Sequence, residues 1–395
     1  MFEQFQPTPQ DPIIKLIGMF REDPRTDKID MGVGVFRNEN GETPVMEAVR
    51  LAESKLHHQQ TTKAYVGLAG DEQFNSAITK LVFGDFSGVD RVRAIQTPGG
   101  CGALRMLSDM LYRIAKDRTF WVSDPTWGNH YPIFQQSGFS VNAYPYLNRQ
   151  TKQVNFDALM GKLLTLGSKD IVVFHGCCHN PSGAELLPNQ WDEISDLAEK
   201  NGFFPFFDLA YQGFGDSLED DVYSVRTMAN KVESMVVASS CSKNFGLYRD
   251  RVGCALLMGA TSEISDIARG HILSNARSSY SMPPDHGAAV VSLIMQDNEL
   301  TDIWKNELTS MRNRMLMLRK RLSEMLREKT DSDRWDFIEY HRGMFSLLVL
   351  ADDEVDALRN DHGVYAVTGG RVNIAGIKDE AQLDQFANAL VAVTT

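Results

Sequence analysis

The sequence has no excess of positive charge, no long apolar run and no internal repeats. Its 40 Lys and Arg against 52 Asp and Glu give a net charge of −12, which argues against nucleic acid or an anionic membrane as the main partner. The N-terminus lacks the basic head and apolar core of a signal peptide, and no apolar run approaches a membrane span. A cytoplasmic location is therefore expected.

Cysteines are few and carry no metal-binding spacing. The odd set of five contains no CxxC pair, which fits reduced thiols rather than disulfides or zinc. Vicinal Cys177 and Cys178, near His175 and His179, cannot easily place both sulfurs on one tetrahedral ion, so no metal site is predicted.

The length of 395 residues exceeds the usual single domain, and a composition of 43% hydrophobic and 23% charged residues is that of a globular protein with a large core. Three apolar runs lack alternation, at 170–175, 203–207 and 235–238, and a helix from Gln190 to Lys200 separates the first two. This pattern indicates an α/β fold with a parallel sheet covered on both faces. Ligands of such sheets bind at the carboxyl ends of the strands, which is where Asn180, Asp208, Tyr211 and Lys243 fall.

Lys243 is the candidate for a reactive amine. It follows the apolar run 235–238 and a group of small or polar residues. A surface lysine in a turn is the alternative, because most lysines are exposed. A lysine condenses with an aldehyde only as the neutral amine, so burial or a nearby cation such as Arg251 has to lower its pKa.

A glycine-rich turn, Gly99-Gly100-Cys101-Gly102, opens an amphipathic helix and would suit a phosphate. A plain turn is the alternative. The segment from Trp121 to His130 indicates a strand followed by a turn. On this pattern alone, Trp127 is a core residue and His130 a buried imidazole with hydrogen-bond partners.

The segments HGCCHNPSG, DLAYQGFG and SKNFGLY together resemble the fold-type I aminotransferases that use pyridoxal 5′-phosphate, in particular the subgroup of aspartate and aromatic amino-acid aminotransferases. The resemblance runs in matching order from Gly34 to Arg371. It implies a homodimer with active sites at the interface, and a large domain whose mostly parallel seven-stranded sheet is sandwiched by helices, beside a small α/β domain.

The resemblance also implies the cofactor site. Lys243 would hold the cofactor and move protons, Asp208 would pair with the ring nitrogen with His130 behind it, and Tyr211 would bond the ring hydroxyl. The remaining cofactor contacts would come from Gly99, Gly100, Cys101, Trp127, Asn180, Ser240, Ser242, Arg251 and, from the neighbouring subunit, Tyr65. The family carries threonine or serine where this chain has Cys101.

The implied substrates are amino acids and 2-oxo acids. Arg371 and the backbone amide of Gly34 would bind the α-carboxylate, with Trp127 and Asn180 beside it. Arg277 would cross the interface to bind a distal carboxylate. The amino donor would be aspartate, an aromatic amino acid or both, and 2-oxoglutarate the acceptor; Met282, where aspartate-specific members tend to have asparagine, favours broad specificity.

The expected domains are 44–302 (large) and 1–43 with 303–395 (small), joined by a bridging helix over about 303–329. Strands are predicted at 28–36, 336–340, 345–350 and 371–375. Two alternatives exist, a C–S lyase or decarboxylase on the same scaffold and a non-catalytic ligand sensor. Two arginine clamps, Arg277 and Arg371, favour transamination over a lyase or decarboxylase. A sensor should carry a DNA-binding appendage or lack a catalytic residue, and neither is seen.

Overall fold

A seven-stranded sheet forms the centre of the fold in the computed structural model, which describes residues 1–8 and 11–394. The strands of the described residues are β1 Ile29–Asp30, β2 Val92–Pro98, β3 Thr119–Asp124, β4 Ser140–Pro145, β5 Asp170–His175, β6 Phe204–Leu209, β7 Met235–Ser240, β8 Val252–Met258, β9 Phe345–Leu347, β10 Val364–Tyr365 and β11 Arg371–Asn373; β1 pairs with β10 and β9 with β11 in two small sheets outside the central one. The central sheet has the order β2-β8-β7-β6-β5-β3-β4, and only β8 runs antiparallel to its neighbours.

Helices cover both faces of this sheet. The helices of the described residues are α1 Pro12–Glu22, α2 Glu47–Gln59, α3 Glu72–Phe83, α4 Gly99–Tyr112, α5 His130–Gln136, α6 Phe156–Leu163, α7 Pro188–Asn201, α8 Tyr223–Ala229, α9 Ser262–Ser279, α10 Asp285–Gln296, α11 Asn298–Thr330, α12 Phe337–Tyr340, α13 Asp352–His362 and α14 Glu380–Thr394, of which α12, α13 and α14 pack away from the sheet. Along β5, Val172 and Phe174 belong to one core and Ile171 and Val173 to the other. The lack of alternation in the sequence follows, because both faces of the strand are buried.

A third core combines both ends of the chain. Residues from β1 pack with residues from β10, β11 and α14. Helix α11 joins this core to the rest, since Met311 and Met315 pack in the sheet's core while Leu322 and Leu326 pack in the third. The segment 303–329, predicted as a bridging helix, is helical, and the helix begins earlier, at Asn298, because the Asp297 carboxylate caps it.

Two strand predictions were wrong. The segment 28–36 is a strand only at Ile29–Asp30, and residues 32–36 bond side chains instead of a ladder. Residues 337–340 form the short helix α12, in which the consecutive residues Phe337 and Ile338 are both buried, a pattern that alternation does not allow. Among the described residues, no helix has the length and apolar character needed to cross a membrane.

Candidate active site

The polar residues of the site meet at one edge of the central sheet. Parallel strands β3, β5, β6 and β7 end there, and β2 ends there too, since two antiparallel pairings relate it to β7. The antiparallel strand β8 begins at the same edge, which places Arg251 beside Lys243. The order of strands therefore brings together residues that lie far apart in the sequence.

These residues surround a cavity of about 260 Å³. Its walls include most of the residues predicted from the sequence: Gly34, Gly100, Cys101, Trp127, Asn180, Asp208, Tyr211, Ser240, Ser242, Lys243, Arg251 and Arg371. Gly99 lies directly behind this wall, because a Cβ at that position would be 2.6 Å from the guanidinium of Arg251.

The amine of Lys243 lies 4.9 Å from the centre of the Tyr211 ring. Burial lowers its pKa, the positive charges of Arg251 and Arg371 act in the same direction, and the carboxylate of Asp208 opposes them. The neutral amine, which is the nucleophilic form, is therefore more populated than in an exposed lysine.

Asp208 is the penultimate residue of β6 and lines the cavity. Its carboxylate oxygen Oδ2 lies 2.9 Å from His130 Nε2. Burial alone would raise the pKa of Asp208, but the hydrogen bond from His130 and the positive charge of Lys243 outweigh burial and lower it. The group is thus a buried carboxylate that keeps its negative charge.

A chain of hydrogen bonds fixes the proton positions behind Asp208. The Asn180 N–H donates to His175 Nδ1 at 3.1 Å, so the proton of this imidazole is on Nε2, 3.3 Å from Thr126 Oγ1. Burial lowers the pKa of His175 to about 3, in keeping with a neutral ring. The Thr126 hydroxyl then donates to His130 Nδ1 at 2.8 Å, which leaves Nε2–H of His130 to donate to Asp208.

A second group joins the sheet edge to the third core. The Tyr211 hydroxyl lies 3.5 Å from the side-chain nitrogen Nδ2 of Asn180. Burial raises the pKa of this phenol, which therefore stays protonated. Arg371 donates to Asn180 Oδ1 at 3.4 Å and to the carbonyl of Gly32 at 2.7 Å. Its guanidinium stacks 4.4 Å from the Phe345 ring, while the buried Nε has no partner. Arg371 thus lines the cavity with a guanidinium whose hydrogen-bonding capacity is only partly used.

The opposite end of the cavity suits an anion. Helix α4 begins at Gly99 without a side-chain cap, so the N–H groups of its first turn have no helical carbonyl to bind. A Cβ at Gly100 would come within 3.0 Å of Ser240 Cβ, so glycine permits this close approach. Arg251 donates to Ser242 Oγ at 3.4 Å and supplies the positive charge. Cys101 supplies a thiol, and burial raises its pKa.

Two predicted residues lie outside this cavity in the single chain. Tyr65 is 89% exposed on the segment between α2 and α3. Arg277 is exposed near the end of α9, where it donates to Ser281 Oγ at 2.6 Å. Both are the residues that the family resemblance assigns to a neighbouring subunit's site.

Other residues of the cavity wall were not predicted from the sequence, namely Ile13, Leu104, His175, Ala210, Tyr248 and Phe345. For four of these the sequence held a usable signal, since Leu104 lies on the amphipathic helix after the glycine-rich turn, His175 ends a predicted strand, and Ala210 and Tyr248 lie inside the quoted motifs. Ile13 and Phe345 had none, because they reach the cavity only through the packing of both chain ends.

Comparison with known proteins identifies the family. The model for "Aminotransferase class I and II" matches residues 26–390. The chain belongs to this family. The aminotransferase is 41% identical to the aromatic-amino-acid aminotransferase of Paracoccus denitrificans and 41% identical to the aspartate aminotransferase of Escherichia coli, in both cases over 100% of each chain. It is 44% identical to the tyrosine aminotransferase of Rhizobium meliloti over 96% of each.

Solved structures agree with this assignment. An aromatic amino acid aminotransferase with 3-indolebutyric acid superposes on the whole chain with a TM-score of 0.97 at 41% identity. The aromatic-amino-acid aminotransferase from Burkholderia pseudomallei, covalently bound to pyridoxal phosphate, also gives 0.97 over all of both chains, at 36% identity. The expected fold and the pyridoxal phosphate cofactor are confirmed, and the protein is an amino-acid transaminase.

The residues of this aminotransferase fit the cofactor. An anion-binding turn, an amine of lowered pKa and a charged buried carboxylate stand around one cavity. These groups match in kind the phosphate, aldehyde and ring nitrogen of pyridoxal phosphate.

Proposed function

We propose that this transaminase moves the amino group of aspartate and of aromatic amino acids to 2-oxoglutarate in two half-reactions. The observation that carries the proposal is the meeting of Lys243, Asp208 and Arg371 at one cavity. An amine, an anion and a carboxylate-binding cation are the three protein groups that amino-group exchange on pyridoxal phosphate requires.

In this proposal the cofactor is held at both ends. Gly99, Gly100 and Cys101 offer backbone N–H groups to the phosphate, and Ser240, Ser242 and Arg251 complete that end. Trp127 packs against the ring face, and the neighbouring subunit adds Tyr65. Asp208 accepts a hydrogen bond from the protonated ring nitrogen, and Tyr211 and Asn180 donate to the ring hydroxyl oxygen.

Bound pyridoxal phosphate supplies an aldehyde for amines and a ring that accepts electrons from the substrate's α-carbon. Lys243 binds the cofactor between turnovers and, once displaced by substrate, carries the proton away from the α-carbon at Nζ. Its lowered pKa suits this task, because only the neutral amine accepts a proton. Asp208 keeps the ring nitrogen protonated, since His130 holds its carboxylate in the charged form.

Arg371 binds the substrate α-carboxylate. A planar guanidinium grips a carboxylate with two parallel hydrogen bonds, and here Phe345 and the Gly32 carbonyl fix its plane. The neighbouring backbone amide of Gly34 donates to the same carboxylate. A side chain at Gly34 would collide with the Phe345 ring, whose Cζ would lie 2.8 Å from a Cβ.

Donor preference has to come from the chain's own residues, because identity to an aromatic-amino-acid and to an aspartate aminotransferase is the same, 41%. Arg277 provides the charge for a distal carboxylate. Methionine at position 282 cannot hydrogen-bond that carboxylate or Arg277 as an asparagine can, which supports acceptance of aromatic side chains as well.

The test compares kcat/KM for aspartate, tyrosine and phenylalanine with 2-oxoglutarate, in wild type and in Met282→Asn. We expect all three donors to be used, and the variant to favour aspartate more than wild type does. An aspartate preference of several orders of magnitude in wild type would refute broad specificity. Cleavage of a sulfur-containing amino acid to pyruvate, ammonia and a thiol, or conversion of a donor to its amine and carbon dioxide, without the aminated cofactor accumulating, would refute transamination.

We also propose that the active enzyme is a homodimer whose sites take Tyr65 and Arg277 from the neighbouring chain. Both side chains are exposed here and lie outside the cavity. Phe2 and Phe5, 78% and 76% exposed, offer apolar surface for the same contact.

Subunit mixing tests this arrangement. Lys243→Ala and Arg277→Leu subunits are each inactive with aspartate, but a hybrid dimer has one site with both native residues if Arg277 crosses the interface. Random mixing should then restore about a quarter of the wild-type activity. No recovery in hybrids verified by mass would show that both residues serve the same site within one chain.

The domain division 44–302 against 1–43 with 303–395 is likewise a proposal. It is supported by the separate third core, which draws on both chain ends, and by helix α11, which enters both cores. The cytoplasmic location stays a prediction.

A further inference from the structure

The segment 32–37 forms a strap beside the cavity and is fastened at nearly every peptide group. Asp30 Oδ1 accepts the N–H groups of Gly32 and Val33 at 3.0 and 3.2 Å. The N–H of Phe36 donates to the Tyr248 hydroxyl at 3.0 Å, and that of Arg37 donates to the carbonyl of Ala375, two residues after β11, at 2.8 Å. The strap is therefore held by the large sheet on one side and by the third core on the other.

Asn373 makes the central fastening. Its side-chain amide donates to the carbonyl of Val33 at 2.7 Å and to the carbonyl of Val35 at 2.8 Å. Asn373 is fully buried and sits two residues after Arg371 on β11, so the two side chains share one face of the strand. Arg371 on that face donates to the carbonyl of Gly32.

Gly34 is left without a hydrogen bond in the middle of this strap. Of the N–H groups of residues 32–37, all of which the structure describes, only that of Gly34 has no partner in the chain. Gly34 lines the cavity together with Arg371. The Val33 carbonyl and the Gly34 N–H belong to the same planar peptide group, so the bond from Asn373 to that carbonyl fixes the plane of the free N–H, and the bond to the Val35 carbonyl holds the strap on the other side of Gly34.

We propose that Asn373 is a positioning residue for the substrate's α-carboxylate. It holds the strap so that the Gly34 N–H and the Arg371 guanidinium converge on one carboxylate of an amino acid or 2-oxo acid. The proposal rests on the proposed function of Arg371 and adds a residue that does not itself touch substrate. Without Asn373, the strap would lose two hydrogen bonds, and the Gly34 N–H would no longer be held in the orientation that points it at the carboxylate.

The test uses Asn373→Ser, whose shorter side chain cannot span two carbonyls, and the matched control Asn201→Ala. Asn201 also donates to two carbonyls, of Leu164 and Leu166, at the end of α7 away from the cavity. The probe is 3-indolepropionic acid, which an aromatic amino acid aminotransferase of similar structure binds. It carries a carboxylate but no amine, so its dissociation constant in the loaded enzyme reports carboxylate binding without chemistry.

We expect Asn373→Ser to weaken binding of 3-indolepropionic acid and to raise KM for every donor by about tenfold to a hundredfold, the loss of one charge-assisted hydrogen bond. The affinity for pyridoxal phosphate should stay unchanged, since the strap lies outside the phosphate end. Hydrogen exchange of peptides over 31–37 should accelerate, and Asn201→Ala should change none of these quantities.

Asp30→Ala releases the other end of the strap and should give the same pattern, which provides a second variant if Asn373→Ser does not fold. If a folded Asn373→Ser binds the probe as wild type does, the positioning role is refuted while the proposed function stands. If wild type itself neither binds the probe nor transaminates, the proposed function fails, and the inference with it.

Discussion

The hydrogen bond from His130 to Asp208 is the feature whose removal gives the clearest quantitative prediction. His130→Leu keeps a buried apolar side chain of similar bulk but removes the donor 2.9 Å from Asp208 Oδ2. A hydrogen bond to a charged group contributes about 1.5–3 kcal/mol, and one pKa unit corresponds to about 1.36 kcal/mol. The charged form of Asp208 should therefore lose about 1.5–3 kcal/mol of stabilisation, and its pKa should rise.

The sign of the pH effect follows from the lowered pKa of Asp208 in the wild type. The wild-type carboxylate stays charged down to acidic pH, whereas in the variant it takes up a proton at higher pH. The acid limb of kcat/KM should shift to higher pH in His130→Leu, and kcat/KM near neutrality should fall about tenfold to a hundredfold. Single-turnover rates with aspartate across pH measure both quantities.

Two further variants distinguish this effect from general loss of packing. His130→Gln places an amide donor near the same point and should restore part of the rate and the pH profile. His341 is another buried imidazole, bonded to Ser346 and to the carbonyl of Lys152, and His341→Leu should lower stability without shifting the acid limb. An unchanged acid limb in a folded His130→Leu would refute the role given to this hydrogen bond.

Three further predictions concern the same cavity. Lys243→Ala should lower kcat by more than about a thousandfold and abolish the visible absorbance of the lysine-bound cofactor; an unchanged turnover rate would refute its assignment. In the apoenzyme, Asp208→Asn should lower the pKa of Lys243 further and Arg371→Leu should raise it, because the two charges act in opposite directions. The pH dependence of lysine labelling measures this pKa, and an unchanged profile in both variants would refute the role of the two charges. Cys101→Thr adds a hydroxyl at the phosphate end and should tighten pyridoxal phosphate binding by about tenfold, measured by titrating the apoenzyme; weaker binding would mean that the thiol is itself a good ligand.

The sequence by itself determined the class of fold and most of the cavity. Runs such as 170–175 and 235–238 predicted buried parallel strands because burial of both faces removes alternation. Asn180, Asp208 and Lys243 follow the runs 170–175, 203–207 and 235–238. They could be placed at one edge of the sheet because the carboxyl ends of parallel strands lie together. Family motifs then assigned their chemistry.

Only the tertiary structure decided how those residues are held. Residues 28–36 were predicted as a strand, but the peptide groups of the strap bond the nearby Asp30 and the distant Tyr248 and Asn373. The proton order behind Asp208 likewise depends on contacts across β3, β5 and β6. The local sequence determines which hydrogen-bonding groups a segment contains. The partners of those groups depend on which distant segments pack against it, and the hydrophobic periodicity of the chain does not predict that packing.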